Sequence, residues 1–116
     1  MHKAFEIGAR MEISKGGNVF LNNRRIELLK QIRSTGSILA ASKEMRISYQ
    51  MAWTYIKEIN ALSPLPVVVR QRGGSNGGGA TLTKYGLMLV GKYLQMDERL
   101  HEFLKNFEAD LDDCFF

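Results

Sequence analysis

At 116 residues the chain can hold one domain with a modest core, and is too short for two separate domains. A single cysteine, Cys114, excludes an internal disulfide, and no apolar run reaches signal-peptide length at the start or ~20 residues elsewhere, so a cytoplasmic setting without a membrane partner is expected. The formal charge of +4 is segregated: through Thr83 twelve lysines and arginines face five acidic residues, and from Lys84 onward four face seven, a basic part suited to neutralising phosphates followed by an acidic tail.

Phe5, Ile7, Ala9, Met11 and Ile13 alternate with Glu6, Arg10, Glu12 and Ser14, which predicts a strand with one buried face, bulged or bent at Gly8. Lys15-Gly16-Gly17-Asn18 is a turn signal before the short apolar stretch Val19 to Leu21, so residues 1–21 form an N-terminal strand or hairpin. Asn22 or Asn23 can N-cap the next helix. Its Ile26, Leu28, Leu29 and Ile32 make an inward stripe, and Thr35-Gly36 stops it. Arg24 and Arg25, at a positive helix end, read as solvated.

Two short helices follow, joined by a tight turn. Ser37 can cap the first, which turns Ile38, Ala41 and Met45 inward, with the small Ala41 allowing close helix crossing and Ile47 plugging the corner. Ser48 can cap the second. There Ala52, Ile56 and Ile59 repeat at i, i+4, i+7, leaving Gln50, Thr54, Lys57 and Glu58 on other faces. A first turn carrying Tyr49, Gln50 and Met51 is what a major-groove reader needs, since base edges are read by polar side chains and thymine methyls by apolar ones. Trp53 is expected to pack in the core, and Glu44 and Glu58 to be solvated.

Ser63-Pro64-Leu65-Pro66 ends the helical region of residues 23–62. Val67 to Arg70 and Ala80 to Leu82 read as strands around the loop Arg72 to Gly79, a glycine-rich hairpin over residues 67–82 that can settle on a DNA backbone, with Arg70 and Arg72 at its base and Ser75 and Asn76 at its tip. The loop lacks the Gly-Lys-Ser/Thr of a nucleotide-binding P-loop. Thr83 can cap a last helix over residues 83–112, from about Lys84 to about Asp110. Its Leu87, Leu89 and Val90 pack on the domain, and Tyr93, Met96, Leu100, Phe103, Leu104, Phe107 and Leu111 form a heptad-like seam without an intrachain partner. A second copy would cover that seam, with Asp97, Glu98, Glu102 and Glu108 on its solvated flanks.

The expected fold is therefore α+β, a winged helix-turn-helix with a three-helix core, a β-hairpin wing and a long C-terminal dimerisation helix. Double-stranded DNA is the implied partner. The competing reading is a winged-helix protein–protein interaction module that docks through Tyr49, Met51 and Tyr55. An enzyme is disfavoured: His2, His101 and Cys114 lie at the chain ends with no catalytic or metal-ligand spacing, and no cofactor is implied.

Gly36-Ser37-Ile38, Ile47-Ser48-Tyr49, Ala52-Trp53, Ile56, Glu58, Asn60, Pro66, the glycines Gly73, Gly74 and Gly77 to Gly79 before Ala80, and Leu82-Thr83-Lys84-Tyr85-Gly86 run in order along the chain. On these residues the chain resembles the N-terminal DNA-binding domain of the ModE family of bacterial molybdate-responsive regulators, a winged helix-turn-helix related to the LysR type. The resemblance implies a homodimer on a palindromic operator, with a recognition helix over residues 48–61 and a wing over residues 70–81. It puts Ser48, Tyr49, Gln50 and Thr54 at or near DNA and Arg70, Arg72, Ser75 and Asn76 in the wing; Ser37, Met51 and Lys57 complete the DNA-binding set expected here. It also implies a link to molybdate-related genes. The family's molybdate-binding modules have no counterpart in these 116 residues, so metal regulation would need a separate effector protein. Where the family commonly carries further basic residues this chain has Gln50 and Ser75-Asn76, so the operator sequence does not carry over.

Overall fold

The computed structural model describes residues 5–71 and 79–115. The elements run β1 (Ile13–Lys15), β2 (Asn18–Leu21), α1 (Asn23–Thr35), α2 (Ile38–Met45), α3 (Tyr49–Leu62), β3 (Val68–Gln71), β4 (Gly79–Leu82) and α4 (Lys84–Phe115). Side-chain caps fix where the first three helices begin. The Arg25 N–H donates to Asn22 Oδ1 (2.8 Å), that of Ala40 to Ser37 Oγ (3.1 Å) and that of Met51 to Ser48 Oγ (3.0 Å), each cap contributing about 1 kcal/mol. Helix α1 stops at Gly36 and α2 at Arg46, both left-handed, with φ of 70° and 56°.

The inward stripes meet as their spacing predicts. Ile26, Leu28, Leu29 and Ile32 of α1, Ile38 and Ala41 of α2, and Ala52, Ile56 and Ile59 of α3 are buried together, with Met45 and Ile47 half-buried at the corner. The wing strands pair antiparallel from Val68↔Leu82 to Gln71↔Gly79. On its other edge β4 is tied to the turn between α1 and α2: the Ala80 N–H donates to Gly36 O (3.0 Å), and Ser37 and Gly79 form an isolated bridge.

The N-terminal segment departs from the expected strand. Only Ile13–Lys15 joins a ladder, closed with β2 through Gly16 and Gly17 at φ of 58° and 82°, and the irregularity falls between Ile13 and Ser14 rather than at Gly8. Residues 5–12 run extended along α4 instead. The Phe5 N–H donates to Asp112 Oδ1 (3.4 Å), the Ile7 N–H to Glu108 Oε1 (3.3 Å), and Met11 O accepts from the Tyr93 hydroxyl (2.9 Å). The period-two pattern is real, since Ile7, Ala9 and Met11 are half-buried between exposed neighbours, but the partner is a helix.

Helix α4 begins as expected, with the Gly86 N–H donating to Thr83 Oγ1 (3.0 Å), and continues to Phe115, beyond the expected end near Asp110. Val90 is buried and Leu89 packs against the core, but Leu87 is exposed. Tyr93 is also displaced from its expected role. It is 1 % exposed in the chain's own core, where its hydroxyl also bonds the Asn23 side chain (2.7 Å), so it is removed from the free seam. Burial, and then the nearby Asp97 carboxylate, push its phenol above the ordinary value.

Candidate nucleic-acid interface

With Ala52, Ile56 and Ile59 locked inward, the helical period sends Tyr49, Gln50, Met51, Thr54 and Lys57 outward, and all five are exposed. Ser48 caps the helix at the same end, and Ser37 caps α2. Thr54 Oγ1 donates back to Gln50 O (3.0 Å), so its hydroxyl is turned along the helix with its acceptor lone pairs still available. Tyr49 and Met51 remain 43 % and 42 % exposed, so this first turn offers apolar as well as polar surface.

The wing stands beside this helix because Asn60 holds it there. Asn60 Oδ1 accepts the N–H of Val67 (2.8 Å) and of Val68 (3.3 Å), and its Nδ2 donates to Val68 O (3.0 Å). One side chain thus satisfies three main-chain groups at the start of β3. Arg70, two residues further along that strand, is exposed and lies over the Trp53 ring, its Cζ 4.2 Å from the ring centroid. Arg72, Ser75 and Asn76 lie outside the described residues.

Three side chains stand elsewhere than the sequence indicated. Arg25 is 7 % exposed rather than solvated: it pairs with Glu58, donates to Val19 O (2.9 Å) and lies over the Tyr55 ring at 5.2 Å. Glu58 is therefore an ion-pair partner and not simply a solvated carboxylate, and Tyr55, half-buried beneath Arg25, is not part of an open apolar patch. Arg24 is exposed, as expected. Trp53 is half-buried, with part of its surface on the core and a face toward Arg70. The Asn60 anchor was not assigned from the sequence; its signal is an Asn near a helix end, just before a proline-containing turn and a strand.

On α4, Met96, Phe103 and Phe107 are 43 %, 58 % and 44 % exposed, while Leu100, Leu104 and Leu111 are half-buried. Phe103 and Phe107 meet edge to face, with centroids 5.1 Å apart. Glu98 and Glu102 are exposed, whereas Asp97 is half-buried and Glu108 is engaged by the N-terminal segment. Among the described residues no helix is long and apolar enough to cross a membrane.

No family model matches the chain. Among curated proteins it is 42 % identical over 94 residues to the DNA-binding transcriptional dual regulator ModE of Escherichia coli strain K12, a match covering 78 % of this chain and 36 % of that protein. It is 42 % identical over 97 residues to the transcriptional regulator ModE of Yersinia pestis, covering 81 % and 37 %. It is 41 % identical over 75 residues to that of Haemophilus influenzae, covering 65 % and 29 %. The chain thus spans about a third of the length of these relatives, which are named as regulators and not as enzymes. A crystal structure of a LysR family transcriptional regulator superposes with a TM-score of 0.56 at 17 % identity, over 75 % of this chain and 28 % of that one, a likeness of fold. The protein is a homologue of the N-terminal region of the ModE regulators, with three helices, a β-hairpin wing and a long last helix arranged as in part of that regulator structure.

Proposed function

We propose that the chain is a dimeric, sequence-specific DNA-binding transcriptional regulator that works in the bacterial cytoplasm. The observation that carries this is the outward face of α3, where Tyr49, Gln50, Met51, Thr54 and Lys57 stand exposed on a helix anchored from behind, beside a wing strand bearing Arg70. In this reading α3 enters the major groove. Gln50 and Thr54 meet base edges, Tyr49 and Met51 meet thymine methyls, and Lys57, Ser37 and Ser48 meet phosphates. Arg70, with Arg72, Ser75 and Asn76 of the loop, follows the adjacent backbone or minor groove. Two copies joined through Met96, Leu100, Phe103, Leu104, Phe107 and Leu111 of α4 bring two such helices to a palindromic operator. The resemblance to the ModE family extends the proposal to molybdate-related genes, with a separate effector protein supplying the metal signal.

The test is retention of a randomised duplex pool by the purified full chain at two salt concentrations, followed by sequencing. An enriched inverted repeat, with half-sites one helical turn or a multiple apart, is the expected result. Retention without a motif that vanishes at higher salt would reduce the function to a basic surface. No retention at either salt would turn attention to Tyr49 and Met51 as a protein-docking surface.

A further inference from the structure

Trp53 and Arg70 belong to two elements that a winged reader must hold in register, the helix α3 and the wing strand β3. The guanidinium carbon lies 4.2 Å from the indole centroid. Tyr49, one turn earlier on α3, meets the same indole edge-on, with centroids 6.3 Å apart and planes at 85°, while Trp53 also packs against the buried core. The ring is thereby fixed on more than one side before Arg70 reaches it.

A lone surface arginine samples many rotamers, and ordering one on a ligand costs entropy. Stacking on an indole restrains it without consuming its hydrogen bonds. The ring attracts the cation as a whole, while the five N–H groups radiate from the guanidinium plane and stay available for an oxyanion. A carboxylate partner would occupy the same donors, and among the described residues Arg70 has none.

We propose that Trp53 is a positioning residue, whose indole holds the Arg70 guanidinium beside α3 so that the phosphate taken by Arg70 is in register with the bases met by Tyr49 and Gln50. The proposal rests on the DNA-reading function above. It makes the recognition helix and the wing one recognition unit and not two independent ones.

Trp53 is the chain's single tryptophan, so the stack is tested first without DNA. In the full chain, Arg70→Gln is expected to raise acrylamide quenching of Trp53 fluorescence at unchanged circular dichroism. Unchanged quenching overturns the stack. The second arm is a double-mutant cycle on DNA binding with Trp53→Leu and Arg70→Gln. Arg70→Gln should weaken binding about 5- to 10-fold and reduce the salt slope by about one. Trp53→Leu should reproduce most of that loss in the parent and add almost nothing in the Arg70→Gln background. Trp53→Phe, which keeps an aromatic face, should restore most of the affinity, a rescue that a purely structural role for the indole would not single out. Additive losses overturn the proposal while leaving the DNA-reading function intact. Should Trp53→Leu lose the fold, the cycle is run with Trp53→Met, which also removes the aromatic face while keeping a long apolar side chain, and there coupling to Arg70→Gln supports the proposal and strict additivity overturns it. A parent chain that binds no DNA at any salt overturns the function itself, an outcome the quenching result is independent of.

Discussion

Gly86 lies main chain to main chain against Val67: a Cβ added at Gly86 would stand 2.4 Å from the Val67 carbonyl oxygen and 3.1 Å from its Cγ1. That oxygen also accepts the Thr83 N–H (3.0 Å), so the start of α4 and the residue leading into β3 are joined at one point. Gly86→Ala cannot be relieved by a rotamer change, because the obstacle is backbone. A loss of about 2–3 kcal/mol in urea unfolding is expected. Gly91→Ala is the control, since a Cβ there meets nothing within 4 Å, and it should be neutral or slightly stabilising.

Asn60→Ala removes the acceptor and donor that serve Val67 and Val68. Leaving those part-buried groups unpaired should cost about 2–3 kcal/mol. Amide exchange at Val67 and Val68 should accelerate more than exchange at Leu28 or Ile32. Equal acceleration throughout would mean that Asn60 supports the whole core and not the wing in particular.

Tyr93→Phe strips the hydroxyl that bonds Met11 O and the Asn23 side chain, at an expected cost of about 1–2 kcal/mol near neutral pH. Its pH dependence has a definite sign. Burial and Asp97 raise the folded-state pKa above 10.0, so the native state keeps a proton that the unfolded state has released. The phenol's contribution is full below about pH 10 and is lost as the pH rises through the folded value. Denaturation series from pH 8 to 11 should therefore bring the wild-type curve down toward that of Tyr93→Phe.

Glu58→Gln keeps the size of the side chain and removes the charge facing the buried Arg25. Glu58 is itself about half exposed, so much of the interaction is screened and a loss of about 1 kcal/mol is expected. Arg25→Ala should cost more, because it also removes the bond to Val19 O and the cover over Tyr55. Thermal melts of the two variants give the order.

The helices were legible because capping and periodicity are local: Asn22, Ser37 and Ser48 cap their helices within three residues, and each apolar stripe repeats along its own chain segment. The exposed positions of α3 followed by difference. What was not legible depends on distant partners. Arg25 looked solvated until Glu58, 33 residues away, and Tyr55 closed over it. Tyr93 fits a heptad as well as a core position, and Met11 and Asn23, 82 and 70 residues distant, decide between them. The alternation from Phe5 announced an extended chain with one sheltered side, but not that a helix would shelter it.

The proposed dimer rests on the apolar remainder of α4. Replacing Phe103 and Phe107, 58 % and 44 % exposed, by glutamate removes their mutual edge-to-face contact but leaves the buried core untouched. In sedimentation the Phe103→Glu, Phe107→Glu double variant should run as a monomer at concentrations where the parent is a dimer, with an unchanged unfolding temperature at monomer-forming dilution. Operator binding should weaken at least tenfold, since each half-site would be engaged separately.

The contact between Phe5 and Asp112 brings positions 107 residues apart to one place, the far tip of α4. At 1.5 Å per residue that tip lies about 40 Å along the helix from Lys84, where the wing has just returned. The helix therefore acts as a mast. Labels placed at Phe5 and Asp112, far apart in sequence, would report on the same corner of the molecule.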